Sequence, residues 1–213
     1  MVPAVLTDAD LKSRKGYREA IEHGDVVLGL DKESVTIRLW KRKNTNLLVL
    51  SNKQDHMSTI IQYVMGQIGP SEKKIVFAPE FNTMKYLADY EIISEKSAVE
   101  EMLEAMAYRI TEKMKEQDDS SEVIIAFYDY ATFVSSLSMT AVENLKFILE
   151  KGRLVGYTCF VATDPSITGK IDSASKLVRQ TDLLLLDMRV VDQNVILPLN
   201  RNSREPMLEF QEQ

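Results

Sequence analysis

The sequence predicts an α/β domain with a mostly parallel central sheet and helices on both faces, and three observations carry that prediction. Short apolar runs of strand length alternate with amphipathic stretches of helical period along almost the whole chain, the pattern of successive β–α units. Two of the runs, 47–50 and 123–128, are apolar without alternation, as strands covered on both faces must be. No repeat, low-complexity linker or shift in composition interrupts the series, so residues 26–213 read as one domain behind a helical lead-in over residues 1–25.

Taken in order, the first element is a polar helix over about 7–23, with Thr7 and Asp10 at capping-box spacing. Strands follow at 26–30 and 35–40. In the second, Val35, Ile37 and Leu39 alternate on one face, so it is half exposed, and Trp40 on the other side is an interface anchor or a lid over the sheet edge. The charged run 41–44 reads as a solvated turn. After the buried strand 47–50 comes a polar loop and a helix opening at Ser58 and Thr59, in which Ile60, Ile61, Val64, Met65 and Ile68 recur at helical spacing. A strand is expected at 74–78 and a short apolar stretch at 91–93. The helix at 97–117 carries Val99, Met102, Leu103, Met106, Ile110 and Met114 on one stripe, its methionines serving as adaptable core filler. Beyond the acidic turn 118–121 and the central strand 123–128, a helix at 138–151 turns Val142, Leu145, Ile148 and Leu149 inward, with Gly152 at the position of a left-handed cap. A buried strand at 157–163, a helix at 171–180, a strand at 182–188 and a final strand at 195–198 complete the series.

Composition narrows the function. The chain has 213 residues, and its 26 Lys plus Arg against 32 Asp plus Glu give a net charge of -6. That length buries a full core without disulfide or metal staples. The acidic balance argues against a nucleic-acid partner, whose phosphates are bound chiefly through Lys and Arg. The single Cys159 excludes a disulfide framework and sits in the apolar run 157–162 as a small buried hydrophobe. No segment approaches the roughly 18 consecutive apolar residues of a membrane span, so direct membrane contact is not expected. The two histidines, His23 and His56, fall in separate loops and supply no metal ligand set.

The loop after strand 47–50 is the informative one. A buried strand, a polar loop and a helix form the layout that cradles nucleotide phosphates, for which the motif is G-x-x-x-x-G-K-[ST]. Glycines let backbone N–H groups converge on the phosphates, the Lys meets their charge, and the hydroxyl holds Mg²⁺. Here the eight positions read Ser51-Asn52-Lys53-Gln54-Asp55-His56-Met57-Ser58, and only the hydroxyl of Ser58 is retained. His56 places a side chain where a glycine is required, Met57 removes the cation, and Asp55 adds a charge that repels a triphosphate. Lys53 offers a replacement cation, but a point charge without the amide nest is a weak cradle. The run 123–130 has the form of the second nucleotide strand, whose apolar residues lead to two acidic positions. Tyr128 takes the first place and Asp129 the second, so a metal on Ser58 would lack its usual carboxylate.

Taken together these residues resemble a known family. Gly152-Arg153-Leu154-Val155-Gly156-Tyr157, followed by Val161-Ala162-Thr163-Asp164-Pro165-Ser166-Ile167-Thr168-Gly169, is similar to the segment of FtsK/SpoIIIE-type translocases in which a strand leads through A-T-Q-R-P-S to an I-T-G turn. Arg179 and the segments 183–190 and 192–197 resemble the arginine, last strand and turn that follow, so the resemblance spans about 26–200. Where the family has Q-R at its sensor, this chain has Asp164 alone after Thr163. The opening Val26-Val27-Leu28-Gly29-Leu30-Asp31 is similar to the L-P-I-G-L-D entry of the ATPase modules of type VII secretion motors, the EssC/EccC proteins.

The resemblance implies a three-layer P-loop NTPase fold of RecA/FtsK type and, with phosphate loop, metal strand and sensor all altered, a degenerate C-terminal domain of such a motor. It implies no cofactor, and as partners neighbouring ATPase domains of the same motor and small helical secreted proteins. It also implies a place on the cytoplasmic side of the membrane within a membrane-anchored chain. Two alternatives stay open. One is an atypical ATPase binding ATP with Mg²⁺ through Lys53, Ser58, Thr59 and Asp129, with Arg179 reaching a neighbouring nucleotide; an arginine ending a helix is equally well explained by the helix dipole. The other is a DNA translocase domain.

Overall fold

The computed structural model describes residues 8–31, 34–43, 45–51, 54–79, 90–118, 123–180, 183–187 and 195–196. Two short helices, α1 (Asp8–Lys12) and α2 (Tyr17–Glu22), open the chain where one helix was expected. The break lies at Gly16, whose φ of 88° a continuing helix does not allow; Thr7 lies outside the described residues. Strands β1 (Val26–Asp31) and β2 (Ile37–Trp40) pair antiparallel. Val35, expected in β2, instead stands at φ 56° in the turn before it. A late two-residue strand, β9 (Val195–Ile196), pairs with the other edge of β1, giving a small sheet in the order β2-β1-β9.

The main sheet contains β3 (Asn46–Leu50), β4 (Lys73–Phe77), β5 (Glu91–Ile93), β6 (Val123–Phe127), β7 (Tyr157–Thr163) and β8 (Leu183–Asp187). Its order is β5-β4-β6-β7-β3-β8 and each neighbouring pair is parallel. The connecting helices are α3 (Gln54–Gly66), α4 (Lys96–Glu116), α5 (Tyr130–Ser135), α6 (Met139–Lys151) and α7 (Ser173–Gln180). The sequence reading leaves out α5.

Alternation along the strands divides the core between two faces. Leu48, Leu50, Ile125, Phe127, Cys159 and Val161 point toward α4, α5, α6 and α7. Leu47, Val49, Ile124, Ala126, Phe160 and Ala162 point the other way, toward α3 and the small sheet. The result is three layers, with β1 itself sandwiched: Val26 and Leu28 join the second core while Val27 and Leu30 pack on Leu11 and Ala20 of the lead-in helices. Among the described residues no helix is long and apolar enough to cross a membrane.

Polar joints hold the layers in register. The β1–β2 register shifts between Val27, opposite Leu39, and Gly29, opposite Arg38, which leaves Leu28 as the bulge residue. The Gln67 side chain then accepts from Val27 N–H at 2.9 Å and donates to Val27 C=O at 3.0 Å, and the Tyr63 hydroxyl donates to the same carbonyl at 2.8 Å. Buried Asn46 donates to Leu149 C=O at 2.8 Å and accepts from Cys159 N–H at 3.0 Å, joining β3, α6 and β7. Trp40 is no interface anchor: it is fully buried, its indole N–H donates to Thr45 C=O at 2.8 Å, and its ring lies against Phe160. Gly152 is not the left-handed cap either. It has φ -53° and opens a 3-10 turn, and Gly156 at φ 84° ends that turn. Gly152 is small for another reason, since a Cβ there would stand 3.0 Å from the Tyr157 Cβ and 3.1 Å from the Tyr157 carbonyl.

Candidate functional site

Parallel strands bring the ends of β6, β7 and β3 to one edge, with β7 between the other two. In open parallel α/β sheets this carboxyl edge is where ligands bind. The three altered motifs therefore meet there. Ser51 N–H donates to Thr163 C=O at 2.9 Å, and Ala131 N–H at the start of α5 donates to the Thr163 hydroxyl at 3.3 Å. Thr163 thus ties the beginning of the phosphate-type loop to the helix that follows Asp129. Asp164 does other work at the same edge: its carboxylate accepts from Ser166 N–H at 2.7 Å and caps the 3-10 turn Pro165–Gly169.

The helix expected to open at Ser58 and Thr59 opens at Gln54. In the phosphate-binding motif the helix comes after the glycine-rich loop; here it begins inside the eight-residue window and takes the place of half the loop. His56 accordingly lies on a helix and not in a loop. The backbone of Asp55 falls in the first turn of α3, the helix end at which the dipole favours a negative charge. Lys53 lies outside the described residues, as do the side chains of Asp55, His56 and Arg179; the Arg179 backbone is in the last turn of α7.

Met57 and Tyr128, at the positions of the phosphate lysine and the metal carboxylate, are 3% and 2% exposed. Both belong to one apolar cluster with Val26, Leu28, Trp40 and Ile60. Tyr128 N–H donates to Phe77 C=O at 2.8 Å, so its backbone continues the β4–β6 ladder past the end of β6. Ser58 and Thr59 are half-buried on α3. Asp129 stands at φ 45°, in the left-handed region that Asp tolerates better than most residues, and its carboxylate makes no cap bond to α5. Among the described residues no group of three or more His, Cys, Asp and Glu gathers to hold a metal. Burial pushes the Cys159 thiol up to about 12, which leaves it without nucleophilic character.

A second feature of this end of the molecule escapes the sequence reading because α5 does. A groove of about 630 Å³ runs between α5, the start of α6 and α7. Leu137, Val142 and Leu177 form apolar parts of its lining, and Met139, 84% exposed, stands at its mouth. Lys146, Lys170 and Lys176 outnumber Glu143 and Asp172 around it. Ile171, 96% exposed, adjoins the rim. The sequence signal was an apolar residue directly after a cap, Met139 after Ser138, and another between two charges, Ile171. Close by, the Tyr130 hydroxyl is buried without a hydrogen-bond partner, and burial raises its pKa well above the usual phenol value.

No protein-family model matches the sequence, and no curated protein does. Solved structures do match. EssC ATPases 2 and 3 from Geobacillus thermodenitrificans superpose with a TM-score of 0.70 at 15% identity, over 97% of this chain and 41% of that one. The cytoplasmic domain of EssC gives 0.65 at 14%, over 97% and 44%. Thermomonospora curvata EccC ATPases 2 and 3, in complex with a signal sequence peptide, give 0.60 at 14%, over 87% and 37%. The chain spans less than half the length of each. It has the three-layer fold of these P-loop ATPase domains.

Proposed function

We propose that this chain is a nucleotide-silent ATPase-type domain of a type VII protein secretion motor, and that it works by binding protein, either a secreted substrate or the neighbouring ATPase domains. The observation that carries the reading is the joint burial of Met57 and Tyr128 in one apolar cluster. A phosphate lysine and a metal carboxylate must face the nucleotide, whereas both positions here face the core. Asp55, an acid inside the window where the phosphate motif has none, also weighs against a triphosphate. The site so occupied needs no cofactor.

The likeness to EssC and EccC domains supports association with a motor, and the proposal includes a location on the cytoplasmic side of a membrane-anchored assembly. The groove beside α5 and α7 suits a partner with an apolar stripe and acidic flanks, because its apolar lining is framed by an excess of lysines. The signal sequence peptide on the EccC domains makes the tail of a secreted protein the first candidate.

Calorimetry with ATP and Mg²⁺ tests the silent site: no binding is expected at millimolar nucleotide, and micromolar affinity would overturn the reading. For the protein-binding half, Met139→Glu on the exposed rim is expected to weaken capture of C-terminal tails from secreted proteins while leaving the fold intact. Unchanged capture would remove the groove from the reading.

A further inference from the structure

Tyr130 opens α5 and is fully buried, its ring edge-on to Phe127 with centroids 6.0 Å apart and planes at 79°. Phe133, one turn further along α5, and Phe77 complete the same aromatic packing. The ring is accounted for as core, but the hydroxyl is not. It is buried and has no hydrogen-bond partner. A phenol donor held dry and unpaired costs stability that a phenylalanine would not lose, and Phe127 and Phe133 show that the cluster accepts a ring without the oxygen.

The surroundings of this hydroxyl connect it with the groove. Ala131, the next residue of α5, lines the groove, and so do Asp172 and Ala174 at the start of α7. The two helices pack against each other. Burial above all, then Cys159 and Asp172, keep the proton on the phenol. The hydroxyl therefore stands beneath the α5–α7 seam as a permanent donor, with the Asp172 carboxylate on its groove side. That carboxylate accepts from Ser175 N–H at 2.9 Å and has lone pairs left for a further donor.

A fixed donor beside a carboxylate selects the group that meets them. Another carboxylate is repelled by Asp172, and a cation has no proton acceptor to offer the phenol. A carboxamide carries an acceptor and two donors without charge. We propose that Tyr130 and Asp172 form a polar subsite under the groove floor for the side-chain amide of a glutamine or asparagine, whose oxygen accepts from the Tyr130 hydroxyl and whose nitrogen donates to Asp172. The amide arrives on the apolar stripe of the groove's partner, so the inference rests on the groove reading given above. In the free protein the seam is closed over the hydroxyl, and the first turn of α7 moves outward to admit the amide. Only Ala174 and Ser175 are buried in that turn, so the movement exposes little apolar surface. The closed state lacks a hydrogen bond that the bound state makes, which biases the seam toward opening around its ligand.

The test compares wild type with Tyr130→Phe. The probes are synthetic peptides with a leucine stripe and glutamate flanks, in which each stripe leucine in turn is replaced by glutamine; fluorescence anisotropy gives affinities and thermal melting gives stability. One glutamine peptide is expected to lose about fivefold in affinity for Tyr130→Phe, the value of one neutral hydrogen bond, while the all-leucine parent binds both proteins alike. The free Tyr130→Phe protein is expected to melt at the wild-type temperature or above it. The matching glutamate peptide is expected to bind wild type more weakly than the glutamine one. Glutamine peptides that do not distinguish the two proteins, a glutamate peptide that binds equally well, or a Tyr130→Phe protein that melts well below wild type each overturn the proposal and leave the groove standing. A parent peptide that fails to bind wild type, or binds Met139→Glu unchanged, overturns the groove reading itself, and the amide subsite falls with it.

Discussion

Met57 shows how a single side chain can decide between two uses of one fold. Its thioether is held in a cluster that includes Trp40 and Tyr128, and the residue is 3% exposed. Met57→Lys is therefore expected to lower stability by about 3–5 kcal/mol, the cost of an uncompensated buried charge, and not to create a phosphate site. Met57→Leu, which conserves volume, is expected to cost less than about 1.5 kcal/mol. Urea denaturation of the two variants measures the contrast, and a Met57→Lys protein as stable as wild type would mean that this position opens to solvent. The altered loop was legible in the sequence as a list of missing groups. That the side chains in their place are core residues was not, because burial of Met57 depends on a tyrosine 71 positions away in the chain.

Elements were legible to the degree that one local signal determined each. The run 157–163 was bounded correctly because it is apolar throughout, and β7 is buried along its whole length. Ser138 marked the start of α6 because its side chain accepts from Ala141 N–H. Gly152 misled because glycine answers two needs, a left-handed backbone or a missing side chain, and only the packed corner shows which applies. Gly152→Ala is expected to destabilise by about 1–3 kcal/mol through overpacking against Tyr157, whereas a true left-handed cap would tolerate no residue but Gly or Asn for a backbone reason. Thermal melts of Gly152→Ala and Gly152→Asn separate the two, since Asn rescues a left-handed cap and worsens a crowded one.

A pH dependence belongs to the same scale. Asp172 caps α7 through a 2.9 Å bond from Ser175 N–H, and that bond, with help from Lys170, holds its carboxyl below the ordinary value. A pKa lowered by folding contributes stability above the unfolded value and loses it as pH falls through the folded value. Stability is accordingly expected to decline below about pH 4, and part of the decline should vanish in Asp172→Asn. Glu95, which caps α4 with a lowered pKa, titrates in the same direction and accounts for some of the remainder. Melting temperatures of the two proteins between pH 5 and pH 2, approximate limits set by the carboxylate range, make the comparison.

For the whole molecule, the placement of the edge strands orders the cooperativity. Strands β6, β7 and β3 are flanked by strands and buried between helical layers, while β2 is half exposed at the rim of the small sheet. Hydrogen exchange is expected to be slowest in β7 and β3 and distinctly faster in β2 and β5, because local opening exposes least at the centre. Uniform protection across both sheets would show that they open as one unit. The overall architecture was legible from alternation alone, since parallel sheets write both of their buried faces into the sequence. The groove was not, because it is assembled from α5, α6 and the start of α7, some thirty residues apart in the chain.

The glutamine clasp at Val27 has a mechanical consequence. Among the described residues no strand ladder joins the small sheet to the large one; Gln67 imitates the missing peptide partner with one donor and one acceptor. A tug on β1 is then borne partly by α3, through a side chain loaded in shear, and partly by the apolar core that Val26 and Leu28 share with β3, β6 and β7. Such a joint couples the small sheet to α3 without a strand ladder between the two sheets among the described residues.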